Sequence, residues 1–369
     1  MNVGIITYHS AYNFGSVLQA LATQLSVQEL GHQAQIINYR MRSQQEFYSF
    51  YRKNYGVKTL VKDVLLTPRN GERRIRNERF EKVINMMDLT EKYVEPDEVS
   101  KCESLFDCFV SGSDQIWNKR SCELTPVGWE YMNPYLLEFT DKKKVSYASS
   151  IASMTDEEIE RILPFIKKFD HLSFRENISA LKIQKKLDRE VATVLDPTLL
   201  IDGDRWRSIF DIHNLVEERF IFYYSLAGYK DVKPILSKLN ALAEENNCVV
   251  YAITPFISFK DTKRVKHIYN AGPVEFLNYI FNAALVVTDS YHGTLFSINL
   301  KRPFYSLTDG SDSHMRKNQI LEALGLTDRI CVNPENIAFE DFELNAEHLE
   351  RIKTLKENSL NYLRESIIN

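Results

Sequence analysis

Apolar positions in this chain follow two alternating rhythms. Short continuous apolar runs, the pattern of buried parallel strands, are separated by ladders that repeat every three to four residues, the pattern of a helix face. The run Val3–Thr7 predicts a first strand, the ladder Leu18, Leu21 and Leu25 a helix ended by Gly31, and Gln35–Tyr39 a second strand. Ser16 and Gln19 have capping-box spacing at the start of that helix. Further strands are predicted at Phe106–Val110, Lys144–Ala148, His171–Phe174 and Val191–Leu195. A second series follows, with strands at Phe220–Tyr224, Cys248–Ile253, Ala284–Thr288 and Phe304–Leu307. Helices are predicted between them over Val232–Glu245, from Gly272 through Phe281, and over Thr294–Leu300.

Strands that alternate with helices imply right-handed crossovers and parallel sheets. A chain of 369 residues is too long for one ordinary domain. The expected fold class is therefore α/β, with two Rossmann-like doubly wound domains facing a cleft. Pro197 and Gly203 interrupt the pattern, which sets the domains at 1–200 and 201–345. Leu349, Ile352, Leu355, Leu363 and Ile367 then form the stripe of a long amphipathic C-terminal helix over 346–369. In doubly wound folds ligands gather beyond the carboxyl ends of the strands, so residues just after strands are the ones to weigh.

Composition narrows the partners. With 46 basic against 50 acidic residues and a net charge of -4, the chain offers no global field for nucleic acid. The five cysteines show no Cys-x-x-Cys pair, so neither structural zinc nor a disulfide framework is expected, and no metal site is assigned. Neither a basic, apolar leader nor a run of ~20 apolar residues is present in the sequence. The expected location is cytoplasmic. The basic run Arg73–Arg79 and the aromatic stretch Phe47–Tyr55 add peripheral association with the inner face of a membrane as an open option, against the plainer reading of a solvated charged face.

The most informative stretch is Ala284–Ile298, where a strand runs into a helix start with a histidine at the junction. Asp289 and Ser290 are capping residue types, Tyr291 follows, and the amides of His292, Gly293 and Thr294 are expected to point unpaired from the helix N-terminus at an anion. Gly293 is expected to admit a ligand to the backbone, and His292 to act as acid or base there. The plainer alternative is a hydrogen-bonded turn. Asn13, Gly15 and Ser16 form a similar turn after the first strand, although neither Gly-x-Gly-x-x-Gly nor a P-loop occurs. Ser113, Asp114 and Gln115 follow the strand ending at Val110 and suit sugar hydroxyls, with Trp117 either a stacking platform or core. Arg175 ends another strand and offers a fork for a carboxylate or phosphate, or else a pair with Glu176. His314 and Arg316 stand before a further helix as weaker phosphate ligands.

Taken together and in order, Gly4-Ile-Ile-Thr7, Asn13-Phe-Gly15, Gly112-Ser-Asp-Gln-Ile-Trp117, Ser146-Tyr-Ala-Ser-Ser150, Ser173-Phe-Arg-Glu176, Leu195-Asp-Pro-Thr198, Thr288-Asp-Ser-Tyr-His-Gly293 and Arg302-Pro-Phe304 resemble the polysaccharide pyruvyl transferase family. The resemblance implies a fold like the GT-B glycosyltransferases. It implies transfer of pyruvate from phosphoenolpyruvate, as donor substrate and without a cofactor, to two hydroxyls of a sugar in a surface or capsular polysaccharide or a lipid-linked oligosaccharide precursor. His292 and Arg175 match residues that the family uses for donor binding and catalysis, and the second domain becomes the donor side, the first the acceptor side. Ser290 stands where one common form of the motif has arginine, with Arg316 or the helix amides as expected replacements. The alternatives are a nucleotide-sugar glycosyltransferase of the same fold and a non-catalytic glycan-binding protein.

Overall fold

The computed structural model describes residues 1–213, 217–255, 261–310 and 312–369, with side chains except at residues 229 and 312–316. The chain divides into two compact units, one made of residues 1–67, 80–200 and 354–369, the other of 68–79 and 201–353.

In the first unit β1 (Asn2–Ile6) enters the core and α1 (Phe14–Glu29) returns the chain to β2 (Gln33–Tyr39). Three helices follow, α2 (Arg42–Phe47), α3 (Val57–Leu65) and α4 (Asn70–Ile84), and then β3 (Leu89–Tyr93), β4 (Cys108–Ser111) and β5 (Lys143–Ser146). All neighbours pair in parallel, in the order β3-β2-β1-β4-β5. After α5 (Asp156–Ile166), His171 bridges to Val145 of β5, and the short strand β6 (Ser173–Phe174) bridges through Phe174 to Ser149 in the loop after β5 and pairs with β7 (Ala192–Thr193) across α6 (Asn177–Leu187). The core of this unit holds Ile6, Phe109, Trp117, Tyr135 and Phe174, each at most 2% exposed.

The second unit opens with α7 (Gly203–Phe210) and β8 (Phe220–Tyr224), then α8 (Tyr229–Glu245), β9 (Val249–Ile253), β10 (Val265–His267), α9 (Pro273–Asn282) and β11 (Leu285–Thr288). It closes with α10 (Tyr291–Asn299), β12 (Phe304–Leu307), α11 (Asp312–Leu324) and β13 (Ile330–Cys331). The order β10-β9-β8-β11-β12-β13 is the doubly wound 3-2-1-4-5-6 arrangement. Strand order reverses between β1 and β4 in the first sheet and between β8 and β11 in the second. In doubly wound folds such a reversal is where ligands are taken up, beyond the carboxyl ends of the strands.

The last helix, α12 (Ala346–Ile368), begins in the second unit and ends in the first. There Leu363 and Ile367 are fully buried, and Tyr362 Oη donates to Ser146 O at 3.0 Å. Ser359 Oγ accepts from Leu195 N at 2.9 Å. Among the described residues, no helix is long and apolar enough to cross a membrane.

Candidate functional site

Each sheet carries a polar cluster at its reversal point. In the second unit, β11 ends at Thr288 and hands the chain to Asp289 and Ser290. Asp289 turns its carboxylate to the loop after β8, accepting from Leu226 N at 2.8 Å, Ala227 N at 3.3 Å and the Ser225 hydroxyl. Ser290 caps α10 with extended φ/ψ, and its Oγ accepts from Gly293 N at 3.3 Å. Thr294 N bonds Ser290 O at 3.0 Å, the first ordinary turn of the helix, and Thr294 Oγ1 lies 3.0 Å from Ser306 Oγ in full burial.

These contacts correct part of the anion-hole reading. Of the three amides expected to face a ligand, those of Gly293 and Thr294 are taken by the cap and the first turn, because Ser290 rather than Asp289 is the capping residue. Gly293 also serves another purpose. A Cβ there would lie 2.6 Å from Thr288 Oγ1, so the glycine lets α10 pack on the end of β11, and the close approach is to a side chain of the same unit. His292 occupies the first turn, 8% exposed, edge-on to the half-buried Tyr291 at 5.3 Å.

A buried cation completes this cluster. Lys317, 1% exposed, donates through Nζ to Asp289 O at 2.7 Å and to Leu307 O, joining the ends of β11 and β12. In the sequence Lys317 stands next to Arg316, and burial of a lysine leaves no periodic signal beside a basic neighbour. The side chains of His314 and Arg316 lie outside the described residues.

In the first unit, Asn13 is the N-cap of α1 and its Oδ1 accepts from Gly15 N at 3.0 Å and Ser16 N at 3.3 Å. The cap therefore falls three residues before the expected Ser16, and the two amides expected to receive a ligand are satisfied within the turn. Ser16 Oγ instead donates to Asp114 Oδ2 at 2.6 Å. Gln19, rather than closing a capping box, donates to Thr7 Oγ1 at 2.8 Å and accepts from Ser113 N at 3.2 Å.

Arg175 is the centre of this cluster. Its Nε, NH1 and NH2 each donate to a carboxylate: Glu176 Oε1 at 3.1 Å, Asp196 Oδ2 at 3.0 Å and Asp114 Oδ1 at 3.2 Å. The Arg175 side chain is 1% exposed, and those of Glu176, Asp196 and Asp114 are 1%, 0% and 10%. The fork expected for a substrate anion is thus engaged by protein carboxylates. Three carboxylates and one guanidinium leave the cluster formally anionic, tempered by donors such as Gln115 N to Asp114 Oδ1 at 2.8 Å and Thr198 Oγ1 to Asp196 Oδ1 at 2.7 Å. Asp196 was legible only as part of a break before Pro197, yet it holds Arg175 from the end of β7. Asp114 itself has φ 74°, in the left-handed region that aspartate enters more readily than most non-glycine residues.

The remaining residues sort by burial. Ser113 is fully buried, with Oγ donating to Ala148 O at 2.8 Å. Gln115 accepts from Asn118 Nδ2 at 2.8 Å through its side chain. Trp117 is core: it is fully buried, its Nε1 donates to Tyr135 O at 2.9 Å, and Phe169 and Phe174 pack edge-on against it. His9, just after β1, was not singled out by any motif. It is fully buried, with Nε2 3.0 Å from Asn38 Oδ1, and burial lowers its pKa to about 4. The basic run on α4 is anchored within the second unit, where Arg79 pairs with Glu275 at 3.1 Å and bonds Asn270 O at 2.9 Å. The aromatic stretch is tied down as well, Tyr48 by Glu123 and Tyr55 by Ser43 O.

Two Rossmann-like sheets in one chain, each with polar residues gathered at its reversal point, define an α/β protein of the GT-B-like class. Solved structures of that class are similar over nearly the whole chain. They include UDP-N-acetylglucosamine 2-epimerase from Rickettsia bellii (10% identity, 100% of this chain and 94% of that one, TM-score 0.52). The S. aureus MnaA–UDP co-structure (10%, 100% and 88%, 0.51) and Arabidopsis thaliana UGT89C1 complexed with UDP-L-rhamnose (11%, 99% and 98%, 0.50) are comparable. At such identity the likeness shows the fold alone. Comparison with curated proteins finds no match. The family model for polysaccharide pyruvyl transferase matches residues 13–311, and the chain belongs to that family.

Proposed function

We propose that the protein transfers pyruvate from phosphoenolpyruvate to two hydroxyls of a sugar, forming a cyclic ketal on a surface or capsular polysaccharide or its lipid-linked precursor. Family membership supports the transferase class. The observation that carries the donor assignment is His292 in the first turn of α10, at the reversal point of the second sheet and close in sequence to the carbonyl that binds Lys317. A compact anion is favoured there by the helix dipole.

In this reading His292 protonates the methylene carbon of phosphoenolpyruvate, which becomes the methyl group of the product. Cationic character at the adjacent carbon draws the oxygen of one sugar hydroxyl. The bond from that carbon to the phosphate oxygen then breaks, and a second hydroxyl closes the ketal. One hydroxyl proton replaces that spent on the methyl group, and the other leaves with phosphate. No step calls on a metal or cofactor. Arg175 acts as a positioning residue, holding Asp114 at the end of β4 within the acceptor-side unit, and Asp114 orients a sugar hydroxyl.

The test is release of phosphate that requires both phosphoenolpyruvate and a sugar acceptor, with mass spectrometry of candidate lipid-linked oligosaccharides for the pyruvate ketal. Absence of phosphoenolpyruvate binding under every acceptor condition overturns the proposal. Thermal stabilisation by a uridine nucleotide, and not by phosphoenolpyruvate, would favour a nucleotide-sugar transferase instead.

A further inference from the structure

Helix α3 is built inside out. Four of its five apolar residues, Val57, Val61, Val64 and Leu65, are 78%, 53%, 54% and 68% exposed; Leu60 is half-buried, and the buried residue is Asp63, at 0%. Positions 57, 61, 64 and 65 are spaced to lie on one face of a helix. Asp63, on the opposite side, is held by Arg52: NH2 donates to Oδ1 at 2.6 Å, Nε to Oδ2 at 3.1 Å and the backbone N to Oδ2 at 2.8 Å. A bidentate arginine on a fully buried carboxylate fixes the rotation of the helix, because turning the valines inward would strand that carboxylate.

The sequence around this face is basic. Lys53, Lys58 and Lys62 are exposed, and Asp63 is the single acidic residue between Tyr51 and Leu66 in the sequence. Lys58 and Lys62 follow Val57 and Val61, so they border one edge of the apolar stripe. Tyr51, 39% exposed, stands just before them. In a chain whose net charge is -4, this is a local reversal of sign joined to an apolar face. Lysine-bordered apolar stripes of this kind lie in the headgroup region of anionic bilayers.

A second copy of the chain fits less well. An antiparallel two-fold contact through α3 would bring the lysine edges together, and four exposed apolar side chains are few beside the roughly 20–30 residues a side of a stable interface.

We propose that α3 is the membrane-docking element of this protein, laying its Val57, Val61, Val64 and Leu65 face on an anionic lipid surface. The proposal does not depend on the donor chemistry and is tested without it. The full chain is floated with vesicles of phosphatidylcholine alone or of equal parts phosphatidylcholine and phosphatidylglycerol. Flotation is expected with the anionic vesicles only, and it should weaken as salt rises and the surface charge is screened. The double substitution Val61→Asp with Leu65→Asp should lower the partition coefficient about tenfold or more. Lys58→Glu with Lys62→Glu should lower it at least about fivefold per position. Both variants should keep the parent's circular dichroism and Tm, since the altered residues are exposed. Failure of the parent to float, or equal flotation of a folded Val61→Asp, Leu65→Asp variant, overturns the proposal. So does a concentration-dependent dimer that this variant abolishes in the absence of vesicle binding.

Discussion

Asp196 Oδ2 lies 3.0 Å from Arg175 NH1, with both side chains at 1% exposure or less. The pair belongs to a buried network in which three segments, ending β4, β6 and β7, are joined through one guanidinium. Its worth is structural in the first place, since a carboxylate of this burial depends on its cation.

Arg175→Ala should therefore destabilise the protein by about 3–5 kcal/mol, the usual cost of stranding one side of a buried ion pair. Urea unfolding checks this directly. Arg175→Lys should recover only part of the loss, because an ammonium cannot reproduce three separately directed donors. Unchanged stability in Arg175→Ala would mean that the network does not hold these strands together.

His292→Ala should lower the rate of phosphate release about 10²–10⁴-fold, as expected for loss of a general acid. Circular dichroism should be unchanged. The proposed role also requires the pH profile of the parent to lose one limb in the variant, which a purely structural histidine would not produce.

Gly293→Ala should cost about 1–3 kcal/mol of stability, because the new methyl meets Thr288 Oγ1 at 2.6 Å and cannot be absorbed without moving α10 or β11. The measurement is again the unfolding midpoint.

Stability should fall on mild acidification, and His9 should be one cause. Burial holds its pKa at about 4 against 6.5 when unfolded, so between these values the unfolded chain binds the extra proton. The contribution is complete above pH ~6.5 and declines as pH falls toward ~4, by up to about 3 kcal/mol. Denaturant midpoints measured across that window should slope upward with pH, and the slope should flatten in His9→Gln.

Much of the fold is legible in the sequence because most strands are continuous apolar runs. Phe220–Tyr224 and Phe304–Leu307 coincide with the expected segments. The strands that escape are of another kind. β3, with sequence LTEKY, sits at the edge of its sheet and exposes Glu91 and Lys92, while β10 and β13 are too short to show a period. At the two reversal points the sequence reveals which segments matter but not what their atoms do. Capping types are visible at Asn13 and Ser290, yet only the folded geometry assigns the Gly15, Ser16 and Gly293 amides to those caps. Likewise, Arg175 reads equally well as a ligand fork or an ion pair until Asp114 and Asp196, distant in sequence, are brought beside it. Lys317 and His9 belong to no motif, and it is their burial that marks them.

Helix α12 gives the first unit a discontinuous origin. Residues 354–369 complete a core begun by residues 1–67 and 80–200, and Leu363 and Ile367 are buried in it. The second unit is thus inserted into the first, and no single cut in the chain separates the two. A cut after residue 353 would part Leu363 and Ile367 from the segments that bury them and leave apolar surface on the first unit open.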